Sequence, residues 1–203
     1  TIKMEPLETV FGKGRKLSVT GIANPENEIQ IEKTLVVELV EKYPDAAIIT
    51  AFYKNTGTNE LKIDKTISNY FKLDASIADP QVDPYDFWSY QGASVAWGFD
   101  YVIPTKDGFR QKNSMGVQPE TKTGGGVPLV DLWNNNAGLA IAHLDPKPQL
   151  VSFPVEVEDD KKVSMSILNE TAKTLAPGES LQTLKSAVIT HSLDYFDPLK
   201  IYC

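Results

Sequence analysis

The feature that most constrains the fold is a succession of short apolar runs, each closed by turn formers and none reading as a helix. After Gly126 they follow at close intervals: Val127 to Trp133, Gly138 to His143, Leu150 to Val157, Val163 to Leu168 and Ser186 to His191. Between them lie Asn134-Asn135-Asn136, Asp145-Pro146-Lys147-Pro148, Glu158-Asp159-Asp160-Lys161 and Ala176-Pro177-Gly178-Glu179. These residues make turns by different means, through positive φ, a fixed φ, or side chains that bond their own backbone. Runs of this length with no long amphipathic helix between them predict an all-β chain, built as a β-sandwich or barrel. No internal repeat or low-complexity linker divides the 203 residues, so one domain over residues 1–203 is expected.

The first half follows the same logic with less regularity. Pro6, Gly12, Gly14, Gly21 and Pro25 punctuate the first thirty residues, which read as short strands or an extended arm. Gln30 to Lys42 admits two periods: Ile31, Leu35 and Leu39 at helical spacing, or Leu35, Val37 and Leu39 alternating as in a strand. Its β-branched content and the Tyr43-Pro44-Asp45 turn favour the strand. Ala47 to Tyr53 then runs into Asn55-Thr56-Gly57, with Leu61 and Ile63 alternating beyond it, so two hairpins in succession are expected. From Asp79 to Gly126 aromatics interleave with turn formers, as a long decorated loop or several short strands around one.

Several function classes are excluded at this level. Acidic residues outnumber basic ones 27 to 20, for a formal charge of −7, and the basic residues are scattered, so no nucleic-acid partner is expected. No window approaches the length of apolar residues that a membrane span requires. The single cysteine, Cys203, permits neither an intrachain disulfide nor a cysteine-based metal site, and no cofactor is implied. That leaves the compartment open, a periplasmic or secreted route included. Gly124-Gly125-Gly126 is followed by Val127-Pro128 and a strand, not by the Lys and Ser or Thr that a phosphate loop needs. It reads as a turn.

Three groups of side chains could carry chemistry. His143 and His191, both at strand ends, could with a carboxylate move protons in aldose mutarotation, or could simply bond backbone. Carboxylates are plentiful, but no pair stands out as facing another across a sugar, and Glu158 through Asp160 read as a solvated hairpin tip. Trp88, Tyr90 and Trp97, with Gln91 and Asn113 close by in sequence, have the composition of a sugar-binding surface. Rings there would stack on pyranose C–H edges while amides bond hydroxyls. The alternative is that these rings fill the core, where aromatics give the largest burial.

Phe87-Trp88-Ser89-Tyr90-Gln91-Gly92, Gly108-Phe109-Arg110-Gln111-Lys112-Asn113, the Gly124 to Trp133 stretch and Gly138 to His143 together resemble the N-terminal β-supersandwich of melibiase-type α-galactosidases. Leu175 to Glu179 and His191 to Leu199 resemble the stretch that leads from that domain into the catalytic barrel. The resemblance spans roughly Tyr43 to Tyr202 and implies a galactose-mutarotase-like supersandwich from a multidomain glycoside hydrolase. In that family two aspartates on a (β/α)₈ barrel act as nucleophile and acid/base. Such a barrel needs about 250 residues of alternating strand and helix, so no residue here inherits either role. The resemblance therefore implies an accessory domain, or a fragment, that packs on a barrel of the same parent chain. The loop around Trp88 to Asn113 would be lent to the sugar pocket or to a subunit interface. A free-standing carbohydrate-binding module is the alternative, and an aldose epimerase a more distant one. Apolar surface meant for a barrel would favour self-association, so a homo-oligomer is a further expectation.

Overall fold

The structure is a computed structural model that describes residues 1–23, 30–92, 101–115, 127–146, 150–170 and 172–203. Strands β1 (Ile2–Thr9), β2 (Gly12–Ala23), β3 (Ile31–Val40) and β4 (Ala46–Asn55) form a long antiparallel meander. β5 (Leu61–Ile63) and β6 (Thr66–Leu73) follow, and then a 3₁₀ turn at Ala75–Ile77 capped by the Asp74 side chain. The aromatic segment contributes β7 (Trp88–Gln91), β8 (Tyr101–Pro104), β9 (Arg110–Gln111) and β10 (Ser114–Met115). After it come β11 (Leu129–Trp133), β12 (Gly138–His143), β13 (Val151–Ser152), β14 (Val155–Val157) and β15 (Val163–Asn169). β16 (Lys173–Leu175), β17 (Ser180–Gln182), β18 (Ser186–His191) and the helix α1 (Phe196–Tyr202) complete the described chain.

Two sheets pack face to face, so the fold is the all-β sandwich that the spacing of turns implies. The larger runs in the order β1-β2-β3-β4-β18-β12-β11-β7-β8, with β17 lying beyond the end of β18 along β4. In the smaller, β15 pairs β6 on one edge and β13 and β14 on the other, and these in turn carry β10 and β9. It is therefore four strands across where the larger is nine. Pro154 explains one interruption: without an N–H it cannot continue a ladder, so the expected Leu150 to Val157 strand is split into β13 and β14 around Phe153-Pro154.

Pleating decides which residues meet between the layers. Val130, Leu132 and Ile141 of the larger sheet face Phe153, Val155 and Ile167 of the smaller, and all are buried. The opposite faces of β11, β12 and β18 are covered as well, by the chain from Tyr195 onward. Leu199, Ile201 and Tyr202 pack there against Leu129, Ala140, Ala142, Ala187 and Ile189. That double burial is why Leu129–Trp133 is an unbroken buried run rather than an alternating one. Alanines at 46, 140, 142 and 187 keep this outer face shallow enough for a helix to lie on it.

Candidate functional site

The outer face of the larger sheet brings a group of polar and aromatic side chains together. Register places them in rows. Trp88, Trp133, Gly138 and His191 lie opposite one another on β7, β11, β12 and β18; Tyr90, Asp131, Ala140 and Ile189 form the next row. His191 reaches diagonally over β12 to Asp131, Nε2 to Oδ1 at 2.9 Å, with side chains 2% and 0% exposed. Glycine at 138 makes the reach possible. A Cβ there would lie 2.0 Å from His191 Nε2 and 2.1 Å from its Cε1.

Tyr195 closes this pair from above. Its ring stacks on Tyr90 at 4.9 Å between centroids and 9° between planes, lies 5.7 Å from Trp133, and stacks on Phe196 at 4.4 Å. Burial pushes the Asp131 carboxyl above its ordinary range, and the hydrogen bond to His191 opposes that shift. Asp131 Oδ2 and His191 Nδ1 have no hydrogen-bond partner among the described residues. A His–Asp pair shut beneath aromatic rings can hold strands in register and share a proton, but it offers a substrate no access.

The two histidines do not converge. His143 and His191 lie on adjacent strands, but His143 is opposite Ser186 and His191 opposite Gly138, five residues apart along the ladder, or about 17 Å. Each has its own carboxylate: His143 Nε2 lies 3.7 Å from Asp145 Oδ2. Burial lowers the His143 pKa, and Asp145 partly opposes it. Mutarotation by the pair acting together on one sugar is thus geometrically unsupported. The Glu158 tip is no better suited to glycoside chemistry. Lys72 pairs with Glu158 at 2.5 Å and with Asp160 at 2.9 Å, and Tyr70 donates to Glu158 at 2.6 Å. Those bonds lower Glu158 to about 2, whereas a general acid needs its pKa raised. Among the described residues no group of three or more His, Cys, Asp or Glu side chains is placed to hold a metal, and no helix is long and apolar enough to cross a membrane.

The sugar-surface candidates fall in different places. Trp88 and Tyr90 share the outer face of β7, but Trp88 is 47% exposed whereas Tyr90 is wholly covered by Tyr195. Gln91 pairs through its backbone with Val130 and Tyr101. Trp97 lies outside the described residues, as does the glycine triplet. Asn113 belongs to the other layer. It sits at φ +50°, is buried, and its Nδ2 donates to Phe153 O at 2.9 Å, which makes it the hinge between β9 and β10. Asp131, Gly138, Tyr195 and Phe196 were not among the sequence candidates. Nothing in their local sequence shows the pairing across β11, β12 and β18 that unites them.

A second concavity adjoins α1 on the same face. It encloses about 210 Å³ and is lined by Val40, Tyr43, Ile48, Ala187, Ile201 and Tyr202 among others. This is below the ~300 Å³ at which small-molecule pockets begin.

No protein-family model matches the sequence, and no curated protein matches it. Solved structures do. The α-galactosidase of Lactobacillus brevis superimposes with a TM-score of 0.69 at 15% identity, covering 95% of this chain and 26% of that one. The GH36 α-galactosidase AgaA of Geobacillus stearothermophilus, in complex with 1-deoxygalactonojirimycin, gives 0.66 at 17%, covering 94% and 27%. The galactosidase domain of the α-galactosidase-sucrose kinase AgaSK gives 0.61 at 14%, covering 95% and 27%. The chain spans about a quarter of the length of the structures it matches. Its fold is the β-sandwich that these α-galactosidases carry over that quarter.

Proposed function

We propose that this chain is an accessory, non-catalytic domain of an α-galactosidase-like glycoside hydrolase, the N-terminal β-sandwich that packs on the (β/α)₈ barrel of the same parent chain. The observation that carries this reading is the asymmetry of coverage: nearly all of this chain corresponds to about a quarter of each hydrolase. The site geometry accords with it: among the described residues, Asp131 is committed to His191 beneath the rings and Glu158 to Lys72 and Tyr70. The test is the length of the native polypeptide in its source, by intact mass or by reading the frame past Cys203. A chain several hundred residues longer, with barrel aspartates downstream, is the expected result. A native chain ending at Cys203 overturns the reading.

Within it, the ring offered to a sugar is Trp88, half-exposed beside the edge strand β8, with Gln91 and Trp97 next along the chain. Tyr90, covered by Tyr195, and Asn113, bonded to Phe153 O in the other layer, are not offered to the sugar. Titration with galactose or raffinose should then perturb tryptophan fluorescence, and Trp88→Ala should remove the change. An unaltered response in that variant rules Trp88 out as the sugar platform.

A further inference from the structure

We infer that the groove between the two sheets, where β3 and β4 run past the edge strand β6, is a binding site for a neutral pyranoside. Two concavities adjoin there across Tyr53 and Ile67, which line both. One, of about 220 Å³, lies between Leu35, Ile49 and Ala51 of the larger sheet and Ser68 and Asn69 of β6. The other, of about 400 Å³, is lined by Leu61, Ile63 and Thr66 among others, and falls within the ~300–1,000 Å³ of small-molecule sites.

Register builds the two walls. On the larger sheet Lys33 lies opposite Tyr53 and Leu35 opposite Ala51, so these four side chains share one face of β3 and β4. Across the gap β6 is irregular. Met165 pairs with Phe71 but Ile167 with Ser68, so Asn69 and Tyr70 together stand opposite Ser166 alone. Such a bulge re-aims a side chain, and bulges gather at sheet edges and beside sites. Asn69 sits at φ +51°, a conformation that asparagine adopts more readily than most residues. Its Nδ2 donates to Ser186 Oγ on β18 at 2.8 Å, and Ser186 donates in turn to Ile49 O at 3.2 Å. The amide is thereby held across the two layers.

The polar groups left over indicate the ligand. Among the described residues, Asn69 Oδ1, Ser68 Oγ, the Tyr53 hydroxyl and the Lys33 ammonium have no hydrogen-bond or ion-pair partner. The ammonium lies 5.4 Å over the Tyr53 ring. The set combines an acceptor, a donor and two hydroxyls that serve as either. An anion would meet Lys33 but also the amide oxygen, and a metal ion would meet that oxygen but also the ammonium. An acyl chain would desolvate all four groups and bond none. A sugar hydroxyl donates and accepts at once, so it can use every one of them, while Leu35, Ile49, Ala51 and Ile67 receive the C–H face of the ring. The groove is on the opposite face of the larger sheet from Trp88, whose strand β7 is four places from β4. The inference stands independently of the hydrolase reading.

Magnetic-resonance titration of the 203-residue chain tests it, with methyl α-galactoside, methyl α-glucoside and, separately, inorganic phosphate. At least one glycoside should shift the backbone amides of Ala51, Asn69 and Ser186 to saturation, and phosphate should leave them in place. Asn69→Gly keeps the left-handed backbone and removes the amide. It should weaken binding by about tenfold, as the loss of one hydrogen bond does. Lys33→Met should also weaken it, whereas Lys54→Met, next to Tyr53 on the opposite face of β4, should not. Should Asn69→Gly lose the dispersion of a folded spectrum, Lys33→Met against Lys54→Met decides in its place. No shift with either glycoside overturns the inference, as do shifts confined to the surroundings of Trp88. So does binding unchanged in a folded Asn69→Gly, or phosphate moving the same amides.

Discussion

Alanine at position 138 is expected to cost the fold about 3–5 kcal/mol, a large fraction of a domain's total stability. On backbone grounds alone the substitution should help, because glycine inside a strand is worse than alanine by roughly 0.5–1 kcal/mol, and Gly138 is not among the positive-φ positions. The opposing effect is steric and electrostatic. A methyl 2.0 Å from His191 Nε2 cannot coexist with the imidazole, so the ring must leave and the 2.9 Å bond to Asp131 goes with it. Asp131, wholly buried, then loses the partner that holds it. Urea unfolding of Gly138→Ala should show a midpoint well below that of the wild type. The informative background is His191→Ala, where the added methyl has room. There Gly138→Ala should cost little or nothing further. An equal loss in both backgrounds would mean that the ring does not set the requirement for glycine.

The same residues show what was legible in the sequence and what was not. Turn clusters between apolar runs were sufficient for the fold class, because each strand end is decided locally: Gly138 to His143 and Ser186 to His191 are strands over those residues. The β1–β2 arm was harder to read. Pro6, Gly12, Gly14 and Gly21 look like loop punctuation, yet they occupy a hairpin of eight- and twelve-residue strands. Gly12 is there because φ is +126° at the turn, and Gly14 because a Cβ would lie 1.9 Å from Leu39 O on β3. A glycine that marks close approach of two strands cannot be told from one that breaks a strand without knowing what lies beside it.

Composition failed in the same way at the site. Tyr90 and Trp88 are two residues apart on one face, but only Trp88 is open, because Tyr195, more than a hundred residues later, covers its neighbour. Asn113 has an amide suited to a sugar hydroxyl and uses it on Phe153 O instead. The His191–Asp131 pair spans 60 positions and two strand pairings. Proximity of that kind is a property of register, and register is set by the whole sheet.

Whether the pair stabilises the fold or only fits within it is decided by a double-mutant cycle. Removing one partner, in Asp131→Leu or His191→Leu, should cost about 3–5 kcal/mol, since each leaves a buried polar or charged group without the bond that offsets its desolvation. Removing both should cost much less than the sum. A pair taken out of water recovers only part of its hydration through mutual attraction, and apolar side chains under Tyr195 and Trp133 would extend the contacts that Leu129, Ala140 and Ile189 already make. The coupling from urea midpoints is therefore expected to be large, on the order of 1.5–3 kcal/mol. Leucine at both positions should fall short of the summed single losses by that amount, leaving a folded chain about as stable as the better single variant. Strictly additive losses would show that the 2.9 Å contact is energetically idle and that each side chain serves its own surroundings. A double variant as unstable as that sum would also transfer the role of this face from the pair to the rings that cover it.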